Sequence, residues 1–68
     1  MSFYATVVIQ QEDNWYVAKC LENNVASQGK TIDEAMCNLK EALELFYEGS
    51  DDIPVTNKIF ITTMEIAI

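Results

Sequence analysis

The side chains in this sequence with the most chemistry to offer are its carboxylates. Eleven Asp and Glu residues face four lysines, a formal net charge of −7, and the chain holds neither His nor Arg. Without His there is no Ser–His or Cys–His pair and no imidazole metal ligand. Asp13, Glu22, Glu41, Asp51 and Asp52 are the acids that could hold two divalent ions for phosphodiester hydrolysis. That chemistry needs acids converging from strand centres. Asp13, Asp51 and Asp52 fall instead in expected turns or loops, and Glu41 falls on an expected solvent face, so solvated charge is the better reading. Two glycines, Gly29 and Gly49, are too few for a phosphate-cradling loop. Cys20 and Cys37 match no zinc or redox spacing and read as packing residues. Cys37 lies on the polar side of the expected helix, an accessible thiol whose acidic neighbours do nothing to activate it. No catalytic residue, metal site or cofactor site is expected.

Composition narrows the partners. Binding to nucleic acid requires cations that replace phosphate counterions, so an acidic chain without Arg is not expected to contact nucleic acid directly. The same argument disfavours anionic membranes, and no apolar run is long enough to span a bilayer. A basic protein partner fits the charge, which steers and orients encounter. Residues Met1 to Thr6 lack the basic region of a secretory leader, which makes the expected compartment the cytoplasm. Half of the residues are apolar, enough for a core. A chain this short buries only about 60% of its unfolded surface, which makes a partner or a second copy welcome.

The elements that must position these groups meet at Ser27 to Ala35. Upstream the sequence reads as strand and turn, and downstream as one amphipathic helix. Thr31 is the expected N-cap, its hydroxyl accepting from the Glu34 N–H while the Glu34 carboxylate reaches back to the Thr31 N–H, a capping box. Gly29 permits backbone angles that other residues resist. Phe3 to Gln11 is rich in β-branched and aromatic residues and reads as strand one; Trp15 to Leu21 reads as strand two, and Val25 to Gln28 as strand three. Glu12-Asp13-Asn14 and Asn23-Asn24 are the turns of the meander. Tyr16, Ala18 and Cys20 are expected to pack under the helix. Within Ile32 to Glu48, Ile32, Met36, Leu39, Leu43 and Phe46 recur at spacings of four and three and mark the buried face. Gly49 stops the helix.

Lys58 to Ile68 then reads as a long last strand. A right-handed crossover brings it parallel to strand one. The expected fold is therefore α+β, a β-β-β-α-β domain over residues 1–68 with a four-stranded mixed sheet of order 3-2-1-4 and one helix on one face. The last strand would be an edge with few charges, and the face opposite the helix would be largely apolar. Native proteins seldom leave such an edge unpaired. A homo-oligomer, dimer or tetramer, through the sheet face or the last strand is expected.

With the elements in place, the chain resembles the HicB-like antitoxin family. The resemblance rests on Trp15-Tyr16-Val17-Ala18, Cys20-Leu21-Glu22, Ser27-Gln28-Gly29-Lys30-Thr31, Asp33-Glu34-Ala35 and Asn38-Leu39-Lys40-Glu41-Ala42-Leu43-Glu44-Leu45, covering about residues 3–48. Leu21 stands where that family often has proline, and Asn24 where it often has glycine. The resemblance implies a truncated ribonuclease H-like fold, with Gln28, Gly29, Thr31, Glu34 and Ala35 as its structural motif. Many members carry a C-terminal DNA-binding domain, which is not expected here. It also implies a function: masking a small basic ribonuclease toxin in a type II toxin–antitoxin pair. Trp15, Glu41, Glu44, Glu48 and Phe60 are the expected partner-binding residues. The alternative is an orphan oligomeric module of the same fold that binds a small ligand or another protein without catalysis.

Overall fold

A computed structural model of the chain describes residues 3–68; Met1 and Ser2, the start of the segment read for a leader, lie outside them. Four elements follow in order: β1 (Val7–Glu12), β2 (Trp15–Cys20), β3 (Ala26–Gly29) and α1 (Ile32–Phe46). The strands form an antiparallel meander, β1-β2-β3. Val7 opposite Cys20 through Glu12 opposite Trp15 sets the first pairing, and Tyr16 opposite Gly29 through Lys19 opposite Ala26 sets the second. Asp13 at φ 52° and Asn24 at φ 63° supply the left-handed angles that the two turns need. Short polar side chains tolerate that region best after glycine. Asn23 secures the second turn, its Oδ1 accepting from the Val25 N–H at 3.0 Å.

The start of α1 follows from its residues. Thr31 is extended at φ −132° and ψ 163°, and its Oγ1 accepts from the Glu34 N–H at 3.0 Å. The Glu34 carboxylate does not return to Thr31, as a capping box would have it. It accepts from the Lys30 N–H at 3.0 Å, one residue further back. The exchange still satisfies a backbone donor beside the helix start. At the other end the helix stops at Phe46, short of the expected Glu48, with Tyr47 as C-cap and Gly49 at φ 72°.

Alternation along β2 sends Tyr16, Ala18 and Cys20 toward the helix, and Ala18 and Cys20 are fully buried. They meet Ala35, Leu39 and Leu43, and these five side chains are the core. The buried side of α1 is turned away from the expected stripe. Leu39 and Leu43 are buried, but Ile32, Met36 and Phe46 are exposed, while Ala35 is closed off completely. The close approach of β3 to the helix start accounts for the rotation. A Cβ on Gly29 would lie 2.6 Å from the Ala35 nitrogen and 2.9 Å from the Glu34 carbonyl carbon. Two backbones therefore touch at this point, which pulls α1 over β3 and β2. The Asn38 Nδ2 donates to the Gln28 carbonyl at 2.9 Å and ties the next turn of the helix to the same strand.

The expected fourth strand is not formed. The sheet has three strands, not four in the order 3-2-1-4, and residues 52–68 form neither helix nor strand. Every residue from Asn57 to Ile68 is exposed. The tail stretches the molecule to 47 Å along its longest axis and raises the radius of gyration to 13.6 Å, against about 11 Å for a compact chain of this length. The physical reason lies in the tail's pattern. Apolar residues stand on both of its faces, Phe60, Met64 and Ile66 on one and Ile59 and Ile61 on the other. Alternation therefore picks no single face for the helix to cover, and it is alternation that fixes the placement of a strand.

Because the contact at Gly29 is with backbone, which cannot swing aside, Gly29→Ala should cost about 2–3 kcal/mol of unfolding free energy. Urea denaturation followed by the fluorescence of Trp15 measures it; a loss below about 0.5 kcal/mol, the range of ordinary surface changes, would remove the contact from the account.

Candidate functional site

Three surfaces carry the expected partner-binding residues. The first is the outer side of α1, where Glu41, Glu44 and the following Glu48 are all exposed. Glu41 and Glu44 share one side of α1, and Glu48, two residues past its end, continues this acidic strip along the chain. The last turn of α1 has no basic residue to offset the negative end of the helix dipole. The connection after Gly49 adds Asp51 and Asp52, both exposed.

The second surface is the sheet face away from the helix. It was expected to be largely apolar. Without a fourth strand it holds Val8, Gln10 and Glu12 from β1, Trp15, Val17 and Lys19 from β2, and Ala26 and Gln28 from β3, a mixed set. Trp15 is exposed there, with the Lys30 ammonium 5.8 Å from its ring centroid. That contact is a cation–π pair. Phe60, the expected partner of Trp15 on this face, is elsewhere. It is 84% exposed on the tail, where the Lys58 ammonium lies 5.4 Å from its ring and 5.4 Å from that of Tyr4. Tyr4 precedes β1, whereas Trp15 pairs with Glu12 at the far end of that strand. Some eight residues of extended chain, about 26 Å, separate the two aromatic sites. The structure therefore leaves the three glutamates exposed and keeps Trp15 and Phe60 apart.

The third surface was not foreseen. Between β1 and α1 lies an open apolar groove of about 770 Å³, with Phe3, Ala5 and Val7 on one wall and Met36, Leu39, Leu43 and Tyr47 on the other. It exists because α1 sits over β3 and β2 and leaves the inner face of β1 only partly covered. Met36 marks it: it belongs to the apolar stripe yet is 40% exposed where it lines the groove. Glu44, Lys40 and Cys37 stand on the same side, so the acidic strip borders the groove. The Cys37 thiol is exposed, and Cys20 is buried. Tyr47 closes the lower end. Its hydroxyl accepts from Asn23 Nδ2 at 2.8 Å, and its ring meets those of Phe3 and Phe46 edge-on, at 5.1 and 4.9 Å.

Of the acids weighed for metal chemistry, Asp13 is at a hairpin tip, Glu41 on the outer side of α1, and Asp51 and Asp52 beyond Gly49. Glu22 has a structural task. Its carboxylate accepts from the Thr6 hydroxyl at 2.6 Å, the Thr6 N–H at 2.7 Å and the Cys20 thiol at 3.3 Å. Thr6 itself is buried. The Thr6 hydroxyl first, and its N–H next, hold Glu22 down to about 2 from an ordinary 4.5. Burial, followed by the bond to Glu22, pushes the Cys20 thiol up. Among the described residues, no group of three or more His, Cys, Asp or Glu is placed to hold a metal ion. No helix among them is long and apolar enough to cross a membrane.

The elements and surfaces define a small α+β module, a three-stranded antiparallel sheet under one helix, with an acidic strip beside an open apolar groove. Residues 5–66 match a protein family of unknown function, DUF7387, and the chain belongs to that family. The matched span reaches Ile66, so the tail is part of the family's unit and not an appendage to it. No curated protein and no solved structure matches the chain.

The clamp on Glu22 has a pH consequence. A carboxylate whose folded-state pKa is depressed contributes stability that is present above its ordinary value and is lost as pH falls through the folded one. The loss should therefore run from pH 4.5 downward to about 2. Glu22→Gln should lower the melting temperature at neutral pH and flatten its decline over that window. Thermal melts across the window test this, and a decline as steep in Glu22→Gln as in the wild type would contradict it.

Proposed function

We propose that this domain is an antitoxin-type binding module of the HicB-like kind, which masks a small basic ribonuclease toxin and performs no catalysis of its own. The observation that carries the reading is the acidic strip, Glu41 and Glu44 on the outer side of α1 and Glu48 just past its end, all exposed, with no basic residue in the helix's last turn. Like charges at this spacing near the negative end of a helix dipole cost a few tenths of a kcal/mol each in the free domain. A cationic partner reverses the sign of that term and is drawn to the strip by a net charge of −7. Trp15 on the outer sheet face is the aromatic contact that fixes the partner's orientation, and Phe60 lies apart from it on the tail.

The motif series from Trp15 to Leu45 supports the choice of partner class. Within it the structure gives Gln28, Gly29, Thr31, Glu34 and Ala35 architectural roles, which leaves the glutamates free for binding. The domain acts in the cytoplasm and makes no direct contact with nucleic acid.

Co-expression with the product of the adjacent gene tests the proposal. The expected result is a complex that co-purifies at low salt, weakens steeply as salt rises, and relieves the partner's toxicity. Glu41→Lys, Glu44→Lys and Glu48→Lys together should weaken it by about tenfold or more while the far-ultraviolet circular dichroism is unchanged. Absence of a complex at low salt, or a complex indifferent to the triple reversal, would defeat the reading.

A further inference from the structure

We infer that the tail Lys58–Ile68 of one copy adds to the free edge of β1 in a second copy and fills the groove beside it, making a reciprocal two-fold dimer. The free edge can be identified residue by residue. Thr6 directs its N–H to Glu22, and its carbonyl accepts from the Leu21 N–H, so both of its polar groups point toward β2. Cys20, opposite Val7, sends its N–H the other way, to the Val25 carbonyl. In an antiparallel pair the bonded positions alternate. Val8, Gln10 and Glu12 therefore bond to β2, and Val7, Ile9 and Gln11 present their N–H and C=O groups at the open edge. Such a row is a template for another strand.

The groove lies along this same edge, and an added strand would pack its inner side chains against Val7, Met36, Leu39 and Leu43. The tail has the composition for that place. Ile59, Phe60, Ile61, Met64, Ile66 and Ile68 are all exposed, and the segment's charges, Lys58 and Glu65, cancel. Extended at about 3.3 Å per residue, Lys58 to Ile68 spans about 36 Å, more than the length of β1.

The occupant is a second copy because of where the chain leads its own tail. Ile53 touches the groove, and the Thr56 hydroxyl donates to the Tyr4 carbonyl at 2.8 Å, at the mouth of the edge. The Lys58 ammonium then sits between the Tyr4 and Phe60 rings, and the residues beyond are exposed and do not line the groove. Each copy thus offers one exposed apolar strand and one empty strand site. A two-fold axis satisfies both at once and closes the assembly. Of the acidic strip only Glu44 borders this contact, where Lys40 lines the groove beside it, and the exchange stands whatever the basic partner proves to be.

Light scattering on the full chain at micromolar concentration should read twice 7.7 kDa. In an equal mixture of isotope-labelled and unlabelled chain, filtered nuclear Overhauser spectra should show contacts between the methyls of Ile59, Ile61 or Ile66 and those of Val7 or Met36 of the other copy. Ile61→Pro and Thr62→Pro provide a second readout, since neighbouring N–H groups of a strand point in opposite directions and one of the two must enter the ladder. One of these variants should weaken the dimer by about tenfold or more, and neither should alter the folded core, because both positions are exposed. A monomer mass, tail contacts confined to the same copy, a dimer without tail contacts, or two proline variants that dimerise like the wild type would each overturn the inference.

Discussion

The contact between Gly29 and the first turn of α1 decides where everything else lies. With no Cβ at residue 29, the last residue of β3 and the nitrogen of Ala35 come together closer than any side chain allows. Ala35 is sealed, and Asn38 reaches back to the Gln28 carbonyl. The helix is thereby committed to the β3 side of the sheet. Leu39 and Leu43 find cover over Ala18 and Cys20, and Met36 is left at the margin. The groove beside β1 is the other consequence of the same placement: fifteen helical residues cannot cover three strands evenly once their start is pinned to the third.

Local chemistry was legible in the sequence where a few neighbouring residues determine it. The alternation of Trp15 to Cys20 showed which side chains turn inward, and Thr31 with Glu34 marked the helix start. The detail that Glu34 takes the Lys30 N–H was not legible, since a flexible carboxylate reaches either donor. The stripe from Ile32 to Phe46 was legible as a periodicity but not as a burial. A period of 3.6 residues tells which residues share a face and leaves open which part of that face finds a cover. The same limit applies with more force to the tail. Its β-branched run marks a strand-former, but pattern alone does not say against which edge, or in which molecule, it pairs. The placement of Trp15 and Phe60 on one face depended on that pairing and failed with it. The groove was not legible because it is made by an absent neighbour: the stripe contains Met36, and only the structure shows that Met36 is left exposed.

The surfaces of the domain divide by chemistry. The outer side of α1 is acidic and suited to a cationic partner, whereas the edge of β1, the groove and the tail are apolar or carry unpaired backbone groups. The two adjoin at Glu44, which is exposed on α1 and also lines the groove. Membership in a family of unknown function names no activity, but the family's span includes the tail along with the meander and the helix. An exposed apolar strand-former on so small a domain is a liability unless it is covered.

The central claim is that the helix position leaves one edge of β1 open for another chain. Amide hydrogen exchange along β1, followed as a function of protein concentration, addresses it most directly. The account predicts that Val8, Gln10 and Glu12 are protected at every concentration, whereas Val7, Ile9 and Gln11 exchange freely in dilute solution and gain protection as the chain is concentrated. Protection of Val7, Ile9 and Gln11 already in dilute solution, or no protection of them at any concentration, would contradict it.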